Sequence, residues 1–414
     1  MSFEDARRVA DTVLYEGLIL YPYRASSRKN RFRFQFGVLA PQSFTTAGGS
    51  EPSSMTVEVP YEGDDDVAIT GKLRFLQLRR RTVERWDGER FTEAEALDVA
   101  GRLLLAWDEA IEREIDFSVP RGGRAHPQFE LAPESEEEVV RGTAGEIVGR
   151  VVRRTGPLHG VLHLASEKLD EAMWKLHVDV ENVTAHDDPT LEREHALRAS
   201  FLGAHLLLQV QHGLFVSLLE PLGERAEAAA QGCENVRAFP VLVGRHGDRS
   251  TMLGSPIILY DWPAIAPESQ GDFFDATEMD EMLTLRTLTL TDEEKREARA
   301  TDPRAAALVE RAEQITPHEM NQLHGAVRSL RVGRNDVAKG SRVRVRLGRR
   351  RHTDPQDMFV DGHVATVEDV REDFEGNGWI AVVVDDDPAA ELNRWFGRHL
   401  WFHPDELELV EETS

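Results

Sequence analysis

Residues 174–183, Trp-Lys-Leu-His-Val-Asp-Val-Glu-Asn-Val, alternate apolar and polar side chains along most of their length. Side chains on a strand point to opposite faces with a period of two. This run therefore predicts an extended segment with Trp174, Leu176, Val178 and Val180 on one buried face. Residues 31–36 alternate in the same way, setting Phe32, Phe34 and Phe36 against Arg31, Arg33 and Gln35, and residues 72–78 repeat the pattern more weakly. Residues 18–23, 239–243 and 256–260 are continuous apolar runs of the kind that buried strands carry. Residues 206–210 and 214–219, separated by Gln211-His-Gly213, read as a hairpin. The first 90 residues read as strands interrupted by a Gly/Ser-rich loop at 47–54 and a polar break at Asp64-Asp-Asp66.

Helical signals are set between these runs. Thr92 with Glu95 has capping-box spacing, and Leu97, Ala100, Leu104, Trp107, Ile111 and Ile115 follow at intervals of three and four, which predicts a helix over 92–115. Asp188-Pro189 predicts the start of a short helix toward Phe201. Thr291 with Glu294, Thr316 with Glu319, Pro303 and Pro317 mark helix starts in a segment expected to hold three helices over about 277–330. Residues 121–138 combine Gly, Pro and a charge run and read as an exposed loop.

The resulting expectation is an α+β chain: a β-rich lobe with helices over 1–270, a helical segment over 271–332, and a C-terminal SH3-like β-barrel with an acidic tail over 336–414. A division of the first lobe into two sub-lobes near 121–138 stays open. The barrel is read from short strand-like runs after Lys339-Gly340, at 343–347, 362–370, 379–384 and 400–409.

Composition removes several classes of chemistry. With one cysteine, Cys233, the chain has no internal disulfide framework and no cysteine-clustered metal site. No apolar run reaches 18 residues, so no membrane span is expected, and the acidic start Met1-Ser-Phe-Glu-Asp lacks the basic region of a signal peptide. These features predict a cytoplasmic protein. The Gly-x-Ser-x-Gly elbow, the Walker A loop and the strand-linked Gly-x-Gly-x-x-Gly fingerprint are all absent, which leans away from an enzyme and implies no cofactor. His318-Glu319 lacks the second histidine of a zincin helix. Cys233 reads as a small packed residue rather than a nucleophile. The acidic residues over 272–281 read as helix-start charge, and Asp385-Asp-Asp387 reads as a turn that ends a strand.

Two constellations keep functional readings open. Histidines crowd the middle of the chain, and His159, His163 and His177 are the candidates for a metal, with Glu192 and His195 supplying a single Glu-x-x-His pair. The net charge of −25 is uneven: residues 24–36 hold five Arg/Lys and no acid, and residues 339–352 hold seven and no acid. Arg342, Arg344 and Arg346, with Tyr21, Tyr23, Arg24, Arg31 and Arg33, are therefore the candidate residues for binding a partner. RNA could use the same basic strand, although the overall charge opposes nucleic acid. The arginines could equally pair with the acidic tail.

Residues 14–26 (LYEGLILYPYRAS), 157–164 (PLHGVLHL) and 255–263 (SPIILYDWP) resemble an uncharacterised bacterial family encoded beside actinobacterial uptake NiFe hydrogenases. The resemblance extends to residues 271–278 (GDFFDATE) and 402–407 (FHPDEL). It implies a non-catalytic accessory or scaffold role, with hydrogenase subunits or maturation factors as protein partners. It brings no catalytic residues with it.

Overall fold

The computed structural model describes residues 3–19, 34, 36–186, 192–263, 285–315, 329–332, 335–346, 360–372, 378–388, 390 and 399–410. The chain divides into two compact units, residues 1–276 with 282–315, and residues 277–281 with 316–414. It is mostly β with some helices, and a large curled sheet dominates the first unit.

The spine of that sheet is β1 (Ser54–Trp86), a 33-residue strand. Its first part pairs with β11 (Met173–Asn182), and from Tyr61 to Leu76 it pairs with β12 (Leu202–Phe215) along its opposite edge. Beyond Ile69 the first edge passes to β5 (Trp107–Val119) and then β2 (Phe91–Ala94), while the second passes to β9 (Ile147–Arg154). One strand thus changes partners along both edges, which a twisted, curling sheet requires. Farther out, β10 (Leu158–Lys168) lies beside β11, β14 (Thr251–Ser255) beside β12, and β13 (Phe239–Leu242) beside β14. The edges are completed by β6 (Arg124–Ala125) and β7 (Gln128–Leu131) on β10, and by β8 (Ser135–Arg141) on β9.

The main core lies on one face of this sheet. Val57, Val59, Tyr61, Leu73 and Phe75 of β1 meet Trp174, Leu176, Val178 and Val180 of β11 and Leu206 and Leu208 of β12. The alternation at 174–183 is therefore borne out. The run at 239–243 also forms a strand, β13, and the 72–78 pattern lies within β1.

On the opposite face α1 (Phe3–Ile19) covers β12 and β14. Ala6, Val9, Ala10 and Val13 pack on Leu207, Val241, Val243 and Leu253, and Leu14 and Tyr15 pack with Leu76, Leu78 and Leu202. This helix corrects the reading of the opening residues as strands. Its buried positions recur at i, i+3, i+4, i+7 and i+8, and that stripe, rather than the apolar run entering residue 18, decides the structure. Residues 20–33 and 35 lie outside the described residues. Of the alternation at 31–36 only Phe34, at φ 57, and Phe36, 44% exposed, are described, and neither is a strand residue.

The expected helix over 92–115 is likewise replaced by strands. β2 ends at Ala94, β3 (Ala96–Val99) and β4 (Arg102–Leu105) form a hairpin, and β5 follows. Ala100 and Gly101, at φ 53 and φ 86, make the turn between β3 and β4. An interval of four serves a strand face as well as a helix face, so Trp107, Ile111 and Ile115 fit both readings. Pairing with β1 from Trp107 to Val119 settles the competition.

In place of the expected hairpin at 206–219, one strand, β12, runs unbroken through Gln211-His-Gly213 to Phe215, and residues 216–219 lie beyond it. Gln211-His-Gly213 faces a bulge in β1, where Gly63 pairs with Gly213 and Ala68 with Gln211, so the break at Asp64-Asp-Asp66 is absorbed within the strand. Gly213 permits the close approach: a Cβ there would stand 2.5 Å from the Glu62 carbonyl oxygen. Residues 256–260 form no strand, and Ile258 is 78% exposed. Residues 121–138 hold β6, β7 and the start of β8 rather than one loop.

Among the later helices, α2 (Gln42–Thr46) precedes β1 and α3 (Arg193–Leu197) precedes β12, whereas Asp188-Pro189 lies outside the described residues. α4 (Glu224–Gln231) follows β12. α5 (Asp292–Thr301) starts with the Thr291–Glu294 capping box, and α6 (Pro303–Gln314) has Pro303 in its first turn, both as expected. The Thr316–Glu319 pair and the acidic run 272–281 lie outside the described residues.

The second unit contains a hairpin of β15 (Ser329–Val332) and β16 (Asn335–Ala338). It also holds β17 (Arg342–Val345), β18 (Val364–Glu372), β19 (Gly378–Val384), β20 (Leu400–Phe402) and β21 (Leu407–Leu409). These five form an antiparallel sheet in the order β20-β19-β18-β17-β21 around Val343, Val367, Ile380, Val382 and Phe402. A single 3-10 turn, Pro404–Glu406, separates the last two strands. Asp385-Asp-Asp387 directly follows β19, with Asp385 and Asp386 in a turn, as expected.

Candidate functional site

The face of β1, β11 and β10 opposite the core carries a group of polar side chains. Period-two alternation turns His159, His163, Lys175, His177, Asp179 and Glu181 outward, together with Thr56 and Glu58 of β1. Strand register sets His163 opposite Asp179, and Asp179 opposite Thr56, whose hydroxyl donates to the Asp179 carboxylate at 2.8 Å.

The structure thus brings the three candidate histidines onto one face but gives each its own carboxylate. His159 Nε2 lies 3.5 Å from Glu130, His163 Nε2 lies 3.6 Å from Glu181, and His177 Nδ1 lies 3.0 Å from Glu58. Among the described residues, no group of three or more His, Cys, Asp or Glu is arranged to hold a metal ion. Glu192 and His195 face each other at 3.8 Å across one turn. A fourth histidine, His126, joins the face from the connection between β6 and β7, with its Nδ1 2.8 Å from His163 Nδ1. The sequence reading placed His126 in an exposed loop. Its partner lies 37 residues away, and only the packing of β6 and β7 on β10 brings the two together.

Glu58 anchors a second group on this face. Although burial opposes it, hydrogen bonds from the Glu234 amide and from His177, and the Lys175 charge, hold its carboxyl below the usual range. Nearby, burial and the Glu58 charge push the Cys233 thiol up to about 11, and its Sγ donates to the Ala229 carbonyl at 3.4 Å. A nucleophilic cysteine needs the opposite setting, because the thiolate is the reactive form. The reading of Cys233 as a packed residue accords with this environment.

Under α1 the sheet buries a pair of charged and polar groups. Arg74 and His205 are register partners, 2% and 0% exposed. Arg74 Nη2 donates to Asp11 of α1 at 2.5 Å, and its Nε lies 3.5 Å from Glu114. His205 Nδ1 donates to the Gly203 carbonyl at 2.8 Å. Burial first, and the Arg74 charge second, push the His205 imidazole down to about 3, so it is neutral at pH 7. Arg74 Nη1 and His205 Nε2 have no hydrogen-bond partner among the described residues. Arg74 did not stand out in the sequence, because a lone Arg on an alternating strand normally reads as solvated, and His205 counted only as one of the crowded middle histidines.

The arginines of the last basic strand are engaged within their own unit. Arg342 makes two hydrogen bonds to Asp385, Arg344 donates to the Gly362 carbonyl, and Arg346 pairs with Glu408 of β21. The acidic residues after position 353 thus supply two of the three partners. Tyr21, Tyr23, Arg24, Arg31 and Arg33 lie outside the described residues.

The first unit also exposes large apolar side chains on two adjoining segments. Leu219 and Leu222 follow β12, and Ile258 and Tyr260 follow β14, with exposures of 53%, 81%, 78% and 61%. A hydrogen bond from the Ser217 hydroxyl to Asp261 ties the two segments together. Ile257 and Leu259 pack inward toward α1, which turns Ile258 and Tyr260 out.

No described helix is long and apolar enough to cross a membrane. The chain matches no protein-family model, no curated protein and no solved structure.

Proposed function

We propose that this chain is a cytoplasmic, non-catalytic accessory or scaffold protein that binds another protein. The observation that carries the reading is the exposed apolar pair of segments at Leu219, Leu222, Ile258 and Tyr260. Large apolar side chains grouped on tied segments and rimmed by polar residues are the surface that a protein partner covers. The resemblance at residues 14–26, 157–164 and 255–263 names hydrogenase subunits or their maturation factors as that partner, and Ile258 and Tyr260 belong to the third of those stretches. Residues 336–414 are read as an SH3-like barrel. The order β20-β19-β18-β17-β21, with a 3-10 turn between the last two strands, supports that reading.

RNA binding through the basic strand is the weaker reading, because Asp385 and Glu408 already neutralise Arg342 and Arg346. The deciding experiment is a pull-down from a hydrogenase-expressing host with the tag at either end. Wild type recovers hydrogenase subunits or maturation factors, and the double variant Leu222→Asp, Tyr260→Asp recovers at least tenfold less. Failure to recover either with both tag positions overturns the hydrogenase assignment, and equal recovery by the double variant overturns the surface.

A further inference from the structure

We propose that α1 is a latch on the sheet of the first unit, and that a proton on His205 releases it. The strands beneath the helix fix what it covers. Arg74, Leu76 and Leu78 alternate toward α1 from β1, as do His205 and Leu207 from β12. The Leu14 carbonyl oxygen rests on Gly203, where a Cβ would stand 3.1 Å from it. The helix therefore closes over Arg74 and His205, which are 2% and 0% exposed.

Among the described residues, side chains hold α1 to the sheet. Its apolar stripe packs on Leu76, Leu207, Val241 and Leu253. Asp11 accepts from Arg74 at 2.5 Å, Arg7 lies 3.5 Å from Glu114 of β5, and Arg304 of α6 donates to the Tyr15 hydroxyl at 2.8 Å. Lifting the helix breaks these contacts and leaves every described strand pair intact, which is the pattern of a local opening that precedes global unfolding.

The groups under the latch explain the trigger. His205 Nδ1 donates to the Gly203 carbonyl, so its lone pair is on Nε2. The edge of the Arg74 guanidinium that carries Nε and Nη2 faces Glu114 and Asp11, which leaves Nη1 on the other side, toward β12 and His205. A proton on Nε2 sets a second positive charge beside that guanidinium, shielded from water, where neither Nη1 nor Nε2 has a hydrogen-bond partner among the described residues. The surrounding charges are already engaged. Glu114 pairs with Lys72, and Glu112, 4.0 Å from Arg74, accepts from Arg304. From β13 and β14 come Val241 and Leu253, which do not titrate. With α1 lifted, water solvates both charges, so the proton and the docked helix exclude each other. A solvated histidine titrates near 6.5, and each pH unit below that favours the released helix about tenfold. The latch does not depend on the partner surface proposed above.

Native-state hydrogen exchange of the full chain between pH 6.5 and 4.5, corrected for intrinsic rates, reads the released fraction even when it is small. At pH 6.5 the amides of residues 10–14 should open at least tenfold more often than those of residues 176–180 in β11. The ratio of their opening constants in wild type and His205→Asn should rise about 100-fold over the two pH units. Asp11→Asn removes one clasp and keeps His205, so it should open more at every pH with the same rise. Residues 10–14 opening only together with residues 176–180 would mean that no separate latch exists, and would overturn the proposal. So would a wild-type rise no steeper than that of His205→Asn or, should that variant not fold, a wild-type opening constant that does not change with pH. Loss of the rise in Asp11→Asn would also overturn it, by making Asp11 the trigger.

Discussion

Acidification provides a direct measure of the buried imidazole under α1. His205 is 0% exposed and titrates near 3 in the folded chain, against 6.5 for the free side chain. Above pH 6.5 neither the folded nor the unfolded chain holds a proton there, and the stability that the neutral imidazole permits is fully present. Below pH 6.5 the unfolded chain takes up a proton that the folded chain refuses. Folding stability then falls by about 1.4 kcal/mol for each pH unit until the folded imidazole itself titrates. Two units down, at pH 4.5, the loss from this one group is about 2.7 kcal/mol, a large share of the stability of an ordinary domain. Other groups also titrate over this range, so the contribution of His205 is the difference between wild type and His205→Asn. In this variant the amide nitrogen can replace Nδ1 as the donor to the Gly203 carbonyl and nothing titrates. Urea unfolding followed by far-ultraviolet circular dichroism at pH 7.5, 6.5, 5.5 and 4.5 gives both curves. The expected difference is a constant offset above pH 6.5 that shifts in favour of the variant by about 1.4 kcal/mol per unit below it. A difference that stays constant down to pH 4.5 refutes the reasoning, for it means that the folded imidazole titrates normally.

Two further outcomes follow from close packing and from burial. Gly149→Ala should destabilise the first unit by about 1–3 kcal/mol in urea unfolding, because its Cβ would stand 2.4 Å from the Glu84 carbonyl oxygen across the β9–β1 pair. Gly156→Ala, with nothing within 4 Å of the new Cβ and no positive φ, should be neutral or stabilising by up to about 1 kcal/mol. Equal losses in both variants would falsify the clash. Cys233, with its thiol at about 11 against an ordinary 9.0, should react with a thiol reagent at pH 7.5 on the order of 100-fold more slowly folded than in urea. Comparable rates would show that the thiol is neither buried nor raised.

Local signals were legible where one interaction decided the structure. The alternation at 174–183, the Thr291–Glu294 capping box and Pro303 each appear in the fold as read. Where two periodicities fit the same residues, the wrong one was preferred. Trp107, Ile111 and Ile115 satisfy a helix and a strand alike, and pairing with the distant β1 decides for the strand. The misread hairpin at 211–213 has the same origin, since Gly213 marks a close approach of strands rather than a turn. The histidine face was half visible. Alternation on β10 and β11 predicts that His159, His163 and His177 point away from the core, but the His126–His163 pairing depends on a strand packing that no short-range pattern encodes. The Arg74–His205 pair was invisible for a related reason. Its burial comes from α1, which the reading of the opening residues had made a strand.

The 33-residue strand β1 has a consequence for how the chain is made. Its synthesis is complete at residue 86, yet three of its five partner strands end at residues 154, 182 and 215. At about 5–20 residues per second, roughly 6–26 seconds of synthesis separate the end of β1 from its last partner in β12. During that interval its apolar face and at least one edge stand open to other nascent chains, and only long-range pairing can close them. Expression yield should therefore depend on translation speed across residues 87–215 and on ribosome-associated chaperones, even when the finished protein is stable.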